Sequence, residues 1–433
     1  MFFRSRSLVC TFDEHGSNGS VGKMITVEEA INAAVSMVSP ITDTCSIPLT
    51  SAHGKSCSRD IYAKAASPAF DNSAMDGFAI NFEAHAAALA ASAPIPLGGT
   101  VAAGDAGNCG LVDHAAAIRI FTGAPLPPEF DTVIPQENCA RDVDCITVGT
   151  MPARGDNVRL RGEDVGVGDL LLASGTVIDG RQIAVLAADG LETVEVIRAP
   201  RVGVVSTGNE LKTIDKAGGS GIFDVNRPML LALLRACGAE VYDLGILPDE
   251  PRAIAEFLAR TSDFCELLVT SGGASVGERD FLRPALMAAG GQVDAHKVAL
   301  KPGKPVFFGR LHSMAVTGLP GNPLSCYVGF QLFVSRQLAA LRGLPVSPEQ
   351  LLSAPLRDAL QRKIGRKEYV PCRLDSAGRL VVLKHGGSAS LKSISEAQGV
   401  MVLDADVASV EAGGTVTWIE FDERKHSSSW RVL

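Results

Sequence analysis

The sequence predicts a multidomain α/β protein, with a parallel-sheet α/β domain between β-rich N-terminal and C-terminal domains. Three observations carry this. From Pro200 to Leu341, apolar strand runs alternate with helical patterns of about ten residues, the rhythm of a parallel sheet covered on both faces. Between residues 81 and 157, and again after Pro345, the runs are shorter and broken by Gly, Pro and Asp. A length of 433 residues corresponds to about three domains on a soft prior.

Composition narrows the function classes. Hydrophobic residues are 46% and charged residues 20%, which supports a sizeable core and argues against wholesale disorder. A net charge of -8 argues against a general nucleic-acid binder, so an anionic substrate would need a local positive pocket. Aromatic residues, at 5%, leave little for base-stacking platforms. The ten cysteines form no C-x-x-C pair and suit a reducing cytosol. Cys237 and Cys326 sit in apolar helical patterns and read as small buried hydrophobes. No apolar run approaches the ~20 residues of a membrane span. Residues 1–23 lack the apolar stretch of a signal peptide and read as a disordered extension, with Met24 an alternative start.

In chain order, Thr26 and Glu29 form a capping box ahead of an amphipathic packing helix that Pro40 ends. Asp76 lies in an Asp-Gly step entering a strand: either a presented functional carboxylate or a simple turn. Short strands are expected at 117–121, 132–134 and 145–148. Thr122, at a strand end, either hydrogen-bonds a ligand or caps a turn. Arg159, Arg161, Glu163 and Asp164 are either surface ion pairs or an anion clip with counter-charges.

From Pro200 the expected order is strand 201–206, helix 228–237, strand 241–246, helix 251–260, strand 267–270, helix 281–289, strands 305–309 and 314–318, and one long helix 323–341. Ligands of such sheets lie beyond the carboxyl ends of the strands. Glu210, Asp249, Ser271, the Gly272-Gly273 turn and the Pro320-Gly321-Asn322-Pro323 turn all fall there. A strand running into Gly-Gly leaves N–H groups for an anion, Asp280 adds a carboxylate, and Lys301 and Lys304 add point charges on a Pro-Gly loop. Together they favour a polyanion site. After Pro345, strands at 369–371, 380–383 and 415–421 read as a small β domain with a frayed tail from Asp422. There His385-Gly386-Gly387-Ser388 is either a second anion-facing loop or a turn.

Taken in series, Asn72–Ala79, Thr122–Pro127, Arg161–Val165, Ser206–Leu211, Asp224–Asn226, Thr270–Phe281, Lys301–Pro305 and Leu319–Ser325 resemble the molybdopterin molybdenumtransferase family over most of residues 25–400. The resemblance implies insertion of molybdate into adenylylated molybdopterin, with Mg2+-dependent release of AMP and no protein nucleophile. It implies an elongated homodimer, in transient contact with the molybdopterin adenylyltransferase and with maturation factors of molybdoenzymes; the thiols, charge and hydropathy read above add the expectation of a cytoplasmic protein with no nucleic acid or membrane as partner. Its domains would be a linker and dimerisation domain (24–63 with 164–199), a β-rich domain (64–163), the molybdopterin-binding α/β domain (200–344) and a C-terminal β domain (345–433).

By the same resemblance, Asp76, Thr122 and Asp164 reach the cleft from one subunit. Glu210, Asp249, Asp280, Lys301 and Lys304 come from the other. Glu210, Asp249 and Asp280 would hold Mg2+; Ser271, Gly272 and Gly273 would face the substrate, and Lys301 and Lys304 its oxyanions. Pro320, Gly321, Asn322 and Pro323 would shape the pterin pocket, and Arg366 and Ser388 resemble positions near a molybdate-binding surface. Gly272-Gly273-Ala274-Ser275-Val276-Gly277 has the insertase form, longer than the Gly-Gly-Thr-Gly turn of the related adenylyltransferases. The alternative is a catalytically silent molybdopterin-binding or scaffold protein of the same fold.

Overall fold

The computed structural model describes residues 24–105, 115–213, 221–274, 281–346, 350–383 and 387–421. The expectations for 1–23 and for the tail from Asp422 lie outside these residues. The chain divides into two compact units, residues 44–197 and residues 1–43 with 198–433.

The larger unit is built on a seven-stranded sheet. Its strands run in the order Met24–Ile25, Gln292–Val298, Pro305–Leu311, Met314–Leu319, Leu267–Ser271, Arg201–Thr207 and Glu240–Leu247. The last four are parallel. The sheet as a whole is mixed, because only His312 and Ser313 separate Pro305–Leu311 from Met314–Leu319. A link that short can only make an antiparallel hairpin, and His312 turns it at φ 54°. Gln292–Val298 then pairs antiparallel with Pro305–Leu311.

Adjacent side chains of one strand feed opposite cores, as the two-residue strand period requires. Phe307 joins Ile254, Leu258, Leu286 and Val316 on one face. Phe308 joins Val27, Ala30, Ala34, Val328 and Phe333 on the other. Each is fully buried, and burial of one such side chain contributes on the order of 2–3 kcal/mol.

The capping box forms: Thr26 Oγ1 accepts the Glu29 N–H at 3.1 Å and Glu29 Oε2 accepts the Thr26 N–H at 2.8 Å. The helix it starts, Val27–Ser36, lies in the Phe308 core. By compactness, residues 24–43 group with this unit. Gln337 locks that helix in place. Its Nε2 donates to Ala34 O at 2.9 Å, and its Oε1 accepts from Thr317 Oγ1 at 2.7 Å. The expected single helix 323–341 is interrupted: Pro323–Gly329 and Ser335–Leu341 flank a π-helical turn, Phe330–Val334.

The second sheet of this unit runs Leu300–Lys301, Lys367–Leu374, Gly399–Leu403, Thr415–Glu420 and Leu352–Pro355, with Leu380–Val382 beside Lys367–Leu374. Its Tyr369, Val400 and Val402 share the Phe308 core, so both sheets share one apolar interior.

The smaller unit holds a six-stranded sheet ordered Thr132–Pro135, Gly77–Ile80, Ala117–Ile120, Ile95–Val101, Cys145–Val148 and Cys139–Arg141. A separate core forms from Leu49, Cys57, Leu172, Ile178, Leu186 and Val194, under helix Gly180–Ala188. Among the described residues no helix is long and apolar enough to cross a membrane, and each of the described cysteines is a free thiol.

Candidate functional site

Four parallel strands end at Thr207, Leu247, Ser271 and Leu319, and the loops beyond them are where a bound group can be reached. A cavity of about 1670 Å³ opens there, between the first sheet and the C-terminal sheet of the same unit. It exceeds the ~300–1,000 Å³ typical of small-molecule pockets. Glu210, Ser271, Gly272, Gly273, Lys301, Lys304 and Pro320 to Pro323 all line it. So do Arg366 and Ser388, from the C-terminal domain.

The glycine turn supplies space more than donors. Gly272 and Gly273 have φ of +86° and +71°, and a β-carbon on Gly272 would lie 2.7 Å from Thr207 O. The Gly272 N–H, expected to be open to an anion, instead donates to Leu319 O at 3.0 Å and closes the sheet end. Among the described residues, no acceptor takes the Gly273 N–H, so that one donor of the pair is left for a ligand.

Asn226 holds the two turns in register. Its Nδ2 donates to Ser271 Oγ at 2.8 Å and to Gly321 O at 2.7 Å, with the residue 5% exposed. Asn322 Nδ2 in turn donates to Ser388 Oγ at 3.1 Å, fastening the Pro-Gly-Asn-Pro turn to the C-terminal domain. Cys326, behind Ser271, is fully buried, and burial pushes its thiol up to about 12, so it supplies no thiolate.

The charged wall is predominantly basic. Lys301, Lys304, Arg362, Lys363 and Arg366 face Glu210, Asp224 and Glu368. Two of these acids are already compensated: Asp224 by Arg227 at 2.9 Å, and Glu368 by Lys301 at 2.7 Å and Arg362 at 3.3 Å. Lys304 is exposed and has no carboxylate within 4.0 Å among the described residues. This is the local positive pocket that a protein of net charge -8 needs to hold an anion.

The three carboxylates expected to share a cation are only partly described. Glu210 is exposed on the cavity wall. Asp249 does not line the cavity but adjoins it, its N–H donating to Asn209 Oδ1 at 3.4 Å, one residue before Glu210. Asp280 lies outside the described residues. Among the described residues no three His, Cys, Asp or Glu side chains cluster closely enough to hold a metal.

In the smaller unit, Asp76 and Thr122 come together. Asp76 Oδ1 accepts the Thr122 N–H at 2.8 Å and its hydroxyl at 2.7 Å, and these bonds hold the Asp76 carboxyl below its ordinary value. Thr122 thus holds the Asp76 carboxylate in place. Asp164 is exposed on another loop, where its N–H donates to Ser67 O at 3.1 Å. Among the described residues Arg159 and Arg161 form no ion pair with Glu163 or Asp164. Glu163 Oε2 accepts the Leu160 N–H at 2.8 Å and closes the turn.

Sequence reasoning quoted Asn226 only within a motif and gave it no role, and it passed over Arg362 and Glu368. The Asp-x-Asn step ahead of Pro228 was a usable signal for the first; nothing local marks the other two.

Comparison with known proteins covers nearly the whole chain. Family models match residues 25–190 ("MoeA N-terminal region (domain I and II)"), 203–340 ("Probable molybdopterin binding domain") and 353–421 ("MoeA C-terminal region (domain IV)"). The chain is 34% identical over 401 residues to a molybdopterin molybdenumtransferase of Haemophilus influenzae, covering 91% of this chain and 98% of that one. It is 33% identical over 382 residues to molybdopterin molybdenumtransferase 2 of Mycobacterium tuberculosis, covering 86% and 93%. The fold resembles the crystal structure of the molybdopterin biosynthesis moeA protein of Pyrococcus horikoshii, with a TM-score of 0.78 and 29% identity, covering 92% of this chain and all of that one.

Proposed function

This chain belongs to the molybdopterin molybdenumtransferase family and is a transferase, and from that premise we propose that it inserts molybdate into adenylylated molybdopterin with Mg2+-dependent release of AMP. The observation that carries the proposal is the basic cavity at the strand ends. There the glycine turn with its Gly273 N–H, Lys304 and Arg366 line one space large enough for a dithiolene, a phosphoanhydride and an oxyanion together.

The chain's residues have separable tasks. Lys304 and Arg366 bind oxyanion oxygens as fixed positive charges. The Gly273 N–H receives a phosphate oxygen. Asn226 and Asn322 hold the turns that shape the pterin end. Glu210 and Asp249, with Asp280, would hold Mg2+. The donors fit, since hard carboxylate oxygens suit this ion and Glu210 is exposed toward the cavity. Bound there, the ion would neutralise phosphate charge. Two oxygens leave molybdate as two dithiolene sulfurs arrive: one joins the AMP phosphate as the anhydride bond breaks, and the other leaves as water with the protons of the two thiols. That exchange asks for positioning and charge screening, not a nucleophile, which agrees with the inert Cys326 thiol behind Ser271. Homodimerisation, cytoplasmic location, transient contact with the adenylyltransferase and maturation factors, and roles for Asp76, Thr122 and Asp164 belong to the same proposal and rest on the family resemblance.

Asp280→Ala tests it. The variant is expected to stay folded and bind adenylylated molybdopterin, yet to release no AMP when molybdate is added. Release at the rate of the unaltered chain would remove Asp280 from the reaction.

A further inference from the structure

We propose that Glu368 sets how tightly the cavity holds an oxyanion, because its carboxylate competes with the bound anion for the Lys301 ammonium. The proposal rests on reading the cavity as the oxyanion site. Its origin is a strand register. Leu300–Lys301 runs parallel beside Lys367–Leu374 with Lys301 directly opposite Glu368, so the ladder itself brings the two charges together.

The two oxygens of Glu368 are divided between unlike cations. Oε1 takes Lys301 Nζ at 2.7 Å, and Oε2 takes Arg362 Nε at 3.3 Å. The Arg362 side chain is 6% exposed. Its Nη1 donates to Leu403 O and Asp404 O at 3.2 Å, and its Nη2 to Arg366 O at 2.7 Å. It cannot swing into the cavity without abandoning those carbonyls. The Lys301 side chain is 52% exposed, and Glu368 is its carboxylate partner. The buried arginine therefore pins Glu368, and Lys301 is the partner able to leave.

A dianion arriving beside Lys304 and Arg366 draws Lys301 across. The anion gains a cation, but an existing pair is broken and a bare carboxylate is left facing the site. Binding is then weaker than the number of lysines suggests. The two lysines differ accordingly: Lys304 is available throughout, while Lys301 is held back until an anion competes for it. A site that must also release a product anion gains turnover from this arrangement.

The test is calorimetric titration of sodium molybdate alone into the full chain at fixed ionic strength. Glu368→Gln is expected to bind molybdate roughly five- to tenfold more tightly than the unaltered chain. Glu368→Asp keeps the charge on a shorter arm that loosens both pairs, and is expected to show a smaller gain of the same sign. In a Lys301→Met background, Glu368→Gln is expected to change affinity by no more than about twofold, because the coupling partner is gone. A residue with a merely structural role would lose affinity on substitution, not gain it. Equal or weaker binding by both Glu368 variants, or an undiminished gain in the Lys301→Met background, would overturn the proposal. An unaltered chain that takes up no molybdate would overturn the oxyanion reading itself, and the proposal with it.

Discussion

Gly272→Val is expected to lower the free energy of unfolding by about 3 kcal/mol and to abolish molybdate-dependent release of AMP. The position has no room for a side chain. Its φ of +86° is a left-handed conformation, which costs a non-glycine residue about 1–2 kcal/mol. A β-carbon there would stand 2.7 Å from Thr207 O and 2.8 Å from Thr207 Oγ1. Thr207 closes a buried central strand and cannot retreat, so the overpacking adds about 1–3 kcal/mol. The Gly272 N–H bond to Leu319 O breaks as the turn shifts, and the Gly273 donor moves away from the site. Urea unfolding reads the first effect as a lower midpoint at unchanged slope. AMP release, measured where the variant remains folded, reads the second. A loss of stability under about 1 kcal/mol would mean that the turn is more pliable than its geometry implies.

Lys304→Met is expected to slow molybdate-dependent AMP release by about a hundredfold or more while leaving stability within about 0.5 kcal/mol. The side chain is exposed on the cavity wall and has no carboxylate partner within 4.0 Å among the described residues, so little holds the fold through it. The same lack of a partner makes its charge fully available to an incoming oxyanion. Lys301→Met is expected to be milder, because Glu368 already shares that charge. Comparing the two variants at saturating molybdate separates the roles. Equal losses would show that the Glu368 pair does not discount Lys301.

Much of the site could be read from sequence because its parts sit at predictable places. Apolar runs ending in Thr207-Gly208, Ser271-Gly272 and Leu319-Pro320 mark strand ends, and the loops there form one wall. What could not be read depends on pairings between distant segments. Lys301 meets Glu368 only through the register of a two-residue strand. Thr122 clamps Asp76 because the strands Gly77–Ile80 and Ala117–Ile120 lie side by side. Gln292–Val298 carries Asp294, His296 and Lys297 and so offers no apolar run, yet it is central enough to receive Met24–Ile25 on its far edge. That pairing sets residues 24–43 against the α/β unit, a contact that the capping box at Thr26 did not announce.

The measurement closest to the central claim is a crystal structure of the chain with AMP and Mn2+, which stands in for Mg2+ and is located by its anomalous scattering. An ion is expected about 2.0–2.6 Å from carboxylate oxygens of Glu210, Asp249 and Asp280, with the AMP phosphate between that ion and Lys304. An ion bound elsewhere, or carboxylates of these three residues facing separate surfaces, would contradict it.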